Sequence, residues 1–173
     1  MKIMNIHLSD GFLQEKNRNS MNKKNSFVNM DSVRTDEQRQ TMEEILRGGF
    51  CPFCPENLDK SKLEPAIKDI ELDYWSIRKN RWPYENTRIH LLIIHNEHIE
   101  KISKIKPQAW TELQKIIGWA EKRYELESGA LGIRFGDPKR NGASVDHLHA
   151  HIITADVTDK NDPKYKPIRF KLG

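Results

Sequence analysis

Apolar residues recur along this chain at two periods, and the periods separate helices from strands. From Pro107 to about Leu126, Trp110, Leu113, Ile116, Ile117, Ala120 and Tyr124 recur three or four residues apart, the stripe of an amphipathic helix packed on a core. Pro107 suits its first turn. A second helix is predicted from Thr35 to Arg47, where Thr35 with Gln38 makes a capping box and Gly48-Gly49 stop the helix. Ile67 to Lys79 has strand character through Ile70, Leu72, Tyr74 and Ile77, until Pro83 and the polar run Glu85-Asn86-Thr87 break it. Ile89 to His95 is a dense apolar run that reads as a central strand. Leu131 to Gly136 reads as another strand, returned by the loop Asp137 to Ala143 into an antiparallel partner. Residues 156–164 read as loop and Pro167 to Leu172 as a short terminal strand, and no segment repeats another.

That partner strand holds the most informative run of the chain, Asp146-His147-Leu148-His149-Ala150-His151-Ile152-Ile153. Side chains alternate across a strand, so His147, His149 and His151 share one face, and Leu148, Ala150 and Ile152 take the other, toward a core. Imidazole can be a nucleophile, a general acid or base, or a metal ligand. Three in alternation beside Gly142-Ala143-Ser144 suggest use in chemistry rather than isolated hydrogen bonding.

Composition narrows the classes. The chain has 173 residues, room for one domain with a real core. No apolar run approaches the roughly 20 residues needed to span a bilayer, and the N-terminus lacks the apolar segment of a secretory signal. Residues 1–34 are rich in Asn, Ser and Lys and are expected to form a mobile extension ahead of a domain at 35–173; Met21 or Met30 are candidate starts. The two cysteines, Cys51 and Cys54, form one Cys-x-x-Cys pair, which suits a reducing cytoplasm as metal ligands or a redox pair. Of the net charge of +4, the extension carries +3, so the rest is nearly neutral and no basic stripe for a polynucleotide is evident. A small phosphate-bearing ligand needs only a local cluster of donors.

The motif resembles the His-φ-His-φ-His-φ-φ signature of the histidine triad (HIT) superfamily of nucleotide hydrolases and transferases. Ile89-His90-Leu91-Leu92-Ile93-Ile94-His95-Asn96-Glu97-His98 is similar to that family's Gly-His-x-Leu-Val-Ile-Pro-x-x-His strand. Gly142-Ala143-Ser144 stands where the family carries Gly-x-Ser/Thr, and Asn80-Arg81-Trp82-Pro83-Tyr84 resembles the Asn-x-x-Pro-Tyr of several bacterial branches. The likeness covers roughly residues 50–153.

The resemblance implies an α+β fold: an antiparallel sheet of about five strands with packed helices, usually paired into a homodimer. It implies attack by the middle histidine, here His149, on the α-phosphorus of an adenine nucleotide derivative such as a dinucleoside polyphosphate or nucleoside phosphoramidate. A neutral imidazole is not repelled by phosphate charge, and a nucleotidyl-histidine intermediate splits one hard displacement into two. His149 must then be neutral, its other nitrogen donating to a fixed acceptor such as a carbonyl of the neighbouring strand. By family position His151 holds a phosphate oxygen and protonates the leaving group, Ser144 contacts the bridging or phosphate oxygen, and backbone donors of Gly142, Ala143 and Ser144 add to them. Asn80 reaches the ribose and Phe53 packs on the base, although Phe53 also suits plain core. One departure is Gly136, where many members carry Asn on the leaving-group side; Asn141 or Lys139 are candidate substitutes. A nucleotide-binding module with weak or lost catalysis is the alternative.

Zinc-bearing branches add the histidine closing the upstream motif and the first triad histidine to the two cysteines. Here that set is Cys51, Cys54, His98 and His147, a closed site for a structural Zn2+ that braces the triad strand. A catalytic zinc on His147, His149 and His151, or a redox pair of cysteines, competes for the same residues.

Overall fold

The computed structural model describes residues 26–172. Four strands form one antiparallel sheet in the order β1-β2-β4-β3: β1 (Trp75–Lys79), β2 (Thr87–His95), β3 (Ala130–Arg134) and β4 (His149–Ala155). With α1 (Asp36–Gly48), α2 (Pro107–Tyr124) and a one-turn helix α3 (Pro138–Asn141), the fold class is α+β.

Alternation decides what covers each face of this sheet. Leu91 and Ile93 of β2 and Ala150 and Ile152 of β4 point to one side, where Ala109, Leu113, Ile116 and Ala120 of α2 close the main core. Trp75 and Ile77 complete it, and the Trp75 indole N–H donates to the Ala109 carbonyl (2.8 Å). Each buried aliphatic side chain stabilises the fold by about 1.5–3 kcal/mol. On the other side Leu92 and Ile94 pack with Met42 and Ile45 of α1 and with Cys51, Phe53 and Cys54. That second layer carries the histidines: His149 faces Ile94 and His151 faces Leu92 across the β2–β4 ladder.

Helix α1 starts where the capping pattern places it, with the Thr35 hydroxyl accepting from the Gln38 amide and Gly49 closing the end at φ +64°. Three expectations change. Only Trp75–Lys79 of the expected strand 67–79 enters the sheet, because Asp73, Tyr74 and Trp75 present their amides to the Glu112 carboxylate of α2. Pro167 to Leu172 makes no ladder, so among the described residues the sheet has four strands and not about five. Side chains hold that segment: Phe170 fills the space over Gly132, and Arg134 donates to the Lys171 carbonyl (2.9 Å). His147 and Leu148 precede β4 rather than belonging to it.

Residues 1–25 of the expected extension lie outside the described residues. Residues 26–34 pack on the domain: Val28 is buried and bridges Val145, and the Asp146 amide donates to the Phe27 carbonyl (2.9 Å). The Asn29 amide donates to the Ser144 carbonyl (2.9 Å), while its side-chain amide reaches the Ala143 and Pro138 carbonyls. The segment therefore ties down the loop in front of the triad. No described helix is long and apolar enough to cross a membrane.

Candidate active site

Phe53, Asn80, Gly142, Ala143, Ser144, His149 and His151 line one pocket on the α1 side of the sheet. His147, the first of the three alternating histidines, is turned to a separate cluster.

The hydrogen bonds of His149 set its chemistry. Its Nδ1 donates to the carbonyl of His147, 2.5 Å away and two residues earlier on the same chain. The expected acceptor on the neighbouring strand is thus replaced by a local one. A neutral imidazole has one N–H, so Nε2 keeps its lone pair. Burial, reinforced by the charge of Arg134, pulls His149 down to about 4, which keeps it neutral near pH 7. The ring of Phe53 stands edge-on to it at 5.2 Å. Phe53 is both buried in the second layer and part of the pocket wall.

His151 belongs to a chain of polar groups with a defined direction. The Tyr84 amide donates to His90 Nδ1 (3.2 Å), so the single proton of a neutral His90 sits on Nε2 and donates to His151 Nδ1 (3.0 Å). His151 then carries its proton on Nε2, a buried atom with no partner among the described residues. Burial holds His90 at about 3 and His151 well below its ordinary value. Asn80 accepts from the Trp82 amide through its side-chain oxygen (2.9 Å). Its amide nitrogen lies 3.0 Å from His90 Nε2, which holds the Asn80 side chain on the pocket wall.

Gly136 takes a positive φ of +72° and donates to the Glu100 carbonyl (2.6 Å). Neither candidate substitute for the missing Asn reaches the pocket. The Asn141 side chain is spent on the backbone of its own loop, donating to the Phe135 and Gly136 carbonyls and accepting from Ala143 (2.7 Å). Arg34, Tyr84 and Arg134 do line it, although no role was expected of them. Arg34 lies in the stretch expected to be an extension, and Arg134 carries no periodic signal. Tyr84 closes the Asn-x-x-Pro-Tyr motif and His90 stands in the upstream strand motif, but only the hydrogen-bonded chain shows His90 beside His151.

The second cluster brings together Cys51, Cys54, His98 and His147, with one ligand atom of each within 4.8 Å of all the others. Cys51 Sγ lies 3.4 Å from His147 Nδ1, Cys54 Sγ lies 3.4 Å from His98 Nδ1, and the two Nδ1 atoms are 3.1 Å apart. Tetrahedral zinc with these ligands spaces its donor atoms ~3.3–3.8 Å apart, so the residues fit that ion. His147 Nε2 donates to the His95 carbonyl (2.7 Å), which leaves Nδ1 as the ligating atom and fixes the ring. Burial pushes the Cys51 thiol up and the Cys54 thiol up to about 12. Metal uptake must therefore displace thiol protons. Because His147 is committed here, a zinc shared by His147, His149 and His151 has no support in this arrangement.

A HIT domain family model matches residues 65–158. An uncharacterized HIT-like protein of Chlamydia trachomatis is 30% identical over 97 residues, which are 53% of this chain and 85% of that protein. Among solved structures, a HIT family hydrolase from Clostridium thermocellum is 25% identical, with a TM-score of 0.48 over 64% of this chain and 96% of that one. A Zn-bound histidine triad family protein from Mycobacterium smegmatis is 19% identical, with a TM-score of 0.45 over 66% and 79%.

Proposed function

Since this chain belongs to the HIT domain family, we propose that it is a nucleotidyl hydrolase or transferase acting at the α-phosphate of adenine nucleotide derivatives. The observation that carries this reading is the fixed tautomer of His149: Nδ1 is committed to the His147 carbonyl, and a neutral Nε2 is left on a ring that lines the pocket. In the first step Nε2 bonds to phosphorus and the bond to the leaving group breaks, its electron pair departing with that group. The unpartnered N–H of His151 donates a hydrogen bond to a phosphate oxygen or to the leaving atom, and Ser144 with the Gly142–Ser144 backbone supplies further donors. Water, or a phosphate acceptor in a transferase, then cleaves the phosphorus–nitrogen bond and frees His149. Asn80 and Phe53 take the ribose and base. Cys51, Cys54, His98 and His147 would hold a structural zinc that braces the strand behind the nucleophile and activates no water. A homodimer and a cytoplasmic setting belong to the same proposal.

The test is the intact mass of wild type and His149→Ala after brief mixing with a diadenosine polyphosphate or an adenosine phosphoramidate. A nucleotidyl mass on wild type alone supports the mechanism. Full turnover by His149→Ala would refute the covalent mechanism, and tight nucleotide binding with neither label nor nucleotide product from wild type would leave a binding module in its place.

A further inference from the structure

The pocket wall is completed by segments outside the residues matched by the family. Arg34 comes from the N-terminal segment and Arg169 and Lys171 from the C-terminal one; Arg134, from β3, lies between them. Arg81 also lines the pocket, but Glu37 and Glu64 neutralise it. Among the described residues none of the other four has a carboxylate within ion-pairing distance, against a single acidic lining residue, Asp31.

Arg134 and Arg34 are the two built into the site. Arg134 is 3% exposed. Its guanidinium donates to the Asn141 and Lys171 carbonyls and to the Tyr84 hydroxyl (3.0 Å), and it lies 3.9 Å from the Phe170 ring centroid. Arg34 stacks 4.2 Å over the other side of this arrangement, the Tyr84 ring, and donates to the Trp82 carbonyl. Carbonyls and rings orient both groups without cancelling their charge. Arg134 is a buried cation lacking a counter-charge, which is costly, and Arg34 stands exposed on the same pocket wall, also without a carboxylate partner among the described residues; a site that keeps both beside a nucleophile is built for an anion.

We infer that Arg34 and Arg134 grip the phosphates of an anionic leaving group, which makes the substrates of this pocket nucleotides with a phosphoanhydride at the α-phosphate rather than nucleoside phosphoramidates. This rests on the nucleotidyl-transfer reading above and deepens it. The His149 Nε2–phosphorus bond forms as the anhydride phosphorus–oxygen bond breaks. The bridging oxygen keeps the electron pair and departs as a terminal oxygen of a nucleoside polyphosphate, its charge held by the two guanidiniums. An amine leaving group needs a proton instead and gains nothing from two cations. The clamp also stands in for the Asn that Gly136 replaces on the leaving-group side.

The experiment compares wild type, Arg34→Gln and Arg34→Lys on diadenosine tetraphosphate and on adenosine 5′-phosphoramidate. Arg34→Gln should lower kcat/KM for the anhydride by about 10- to 100-fold, the worth of a charge-assisted hydrogen bond, and Arg34→Lys should recover part of it. The phosphoramidate should change by less than about threefold. Equal losses on both substrates, no loss on either, or a wild type that prefers the phosphoramidate would overturn the inference. Calorimetric titration of ATP and AMP into His149→Ala, with and without Arg34→Gln, separates the two readings. If wild type cleaves neither substrate, nucleotidyl transfer fails, yet an ATP preference over AMP of about tenfold that vanishes with Arg34→Gln upholds the clamp. Equal affinities for ATP and AMP would refute it.

Discussion

Lowering the pH from about 7.5 to about 5.5 should destabilise this fold steeply, and His151→Gln should soften the loss by a predictable amount. His90 is held at about 3, His149 at about 4 and His151 well below its ordinary value, with burial the largest cause in each case and the Arg134 charge adding to it. In the unfolded chain all three titrate near 6.5. Between about 4 and 6.5 the unfolded state therefore binds protons that the folded state refuses. Their stabilising contribution is complete above about 6.5 and is lost as the pH falls through that window. At about pH 5.5 each histidine costs ~1.4 kcal/mol, so the three together remove ~4 kcal/mol from a domain whose total stability is of order 5–15 kcal/mol. The cysteine and histidine cluster also loses metal affinity in acid. That loss is common to wild type and His151→Gln and cancels in their difference. Urea unfolding at both pH values should show His151→Gln losing ~1.4 kcal/mol less than wild type. Equal losses would mean that His151 accepts a proton in the folded state as easily as in the unfolded one, and the account of a neutral, directed imidazole chain would be wrong.

Two further outcomes follow from the geometry. Protein purified without chelator should carry one zinc per chain, and Cys51→Ser should abolish it and lower Tm by about 10 °C or more. Elemental analysis with thermal melts checks this, and an equally stable metal-free protein would remove zinc from the structure's supports. Gly142→Ala should cost ~2–3 kcal/mol in urea unfolding, because φ is +68° and the new Cβ would collide with the Lys171 carbonyl. Gly49→Ala, at φ +64° with open space around it, should cost only ~1 kcal/mol, and equal costs would mean that the loop and C-terminal segment do not pack as described.

What could be read from the sequence was whatever a short period or a local turn dictates. Alternation placed His149 and His151 on one face and Ala150 and Ile152 on the other, and Thr35 with Gly49 marked the ends of α1, because these are properties of a few consecutive residues. The Cys-x-x-Cys pair was legible as a ligand pair, but its closure by His98 and His147 came from the family likeness, since 44 and 96 residues separate the partners in contact. Three features were not legible. Asp73 and Tyr74 look like part of a longer strand until Glu112, on a distant helix, captures their amides. Phe170 suggests an edge strand until it is seen filling the gap over Gly132. Arg34 sits in a polar stretch whose composition suggests mobility, and the pairing of residues 27–29 with the loop at 143–146, together with its own contacts to Trp82 and Tyr84, brings it to the pocket. In each case the deciding partner is tens of residues away, where periodicity carries no information.

His147 explains why the metal cluster and the nucleophile lie on one short stretch of chain. Its Nδ1 faces the cysteines, its Nε2 is tied to the His95 carbonyl at the end of β2, and its own carbonyl accepts the Nδ1 proton of His149. A displacement of the His147 backbone would lengthen a 2.5 Å hydrogen bond that selects the tautomer of His149. The ring is held from both sides, so the carbonyl that sets the tautomer is placed by contacts that never touch the pocket. Zinc in the cluster would thus act on the chemistry through geometry alone, two residues from the reacting nitrogen. The same logic separates the alternating histidines: the first is tied into the cluster, the second keeps a lone pair on Nε2, and the third, oriented by His90, keeps an unpartnered N–H.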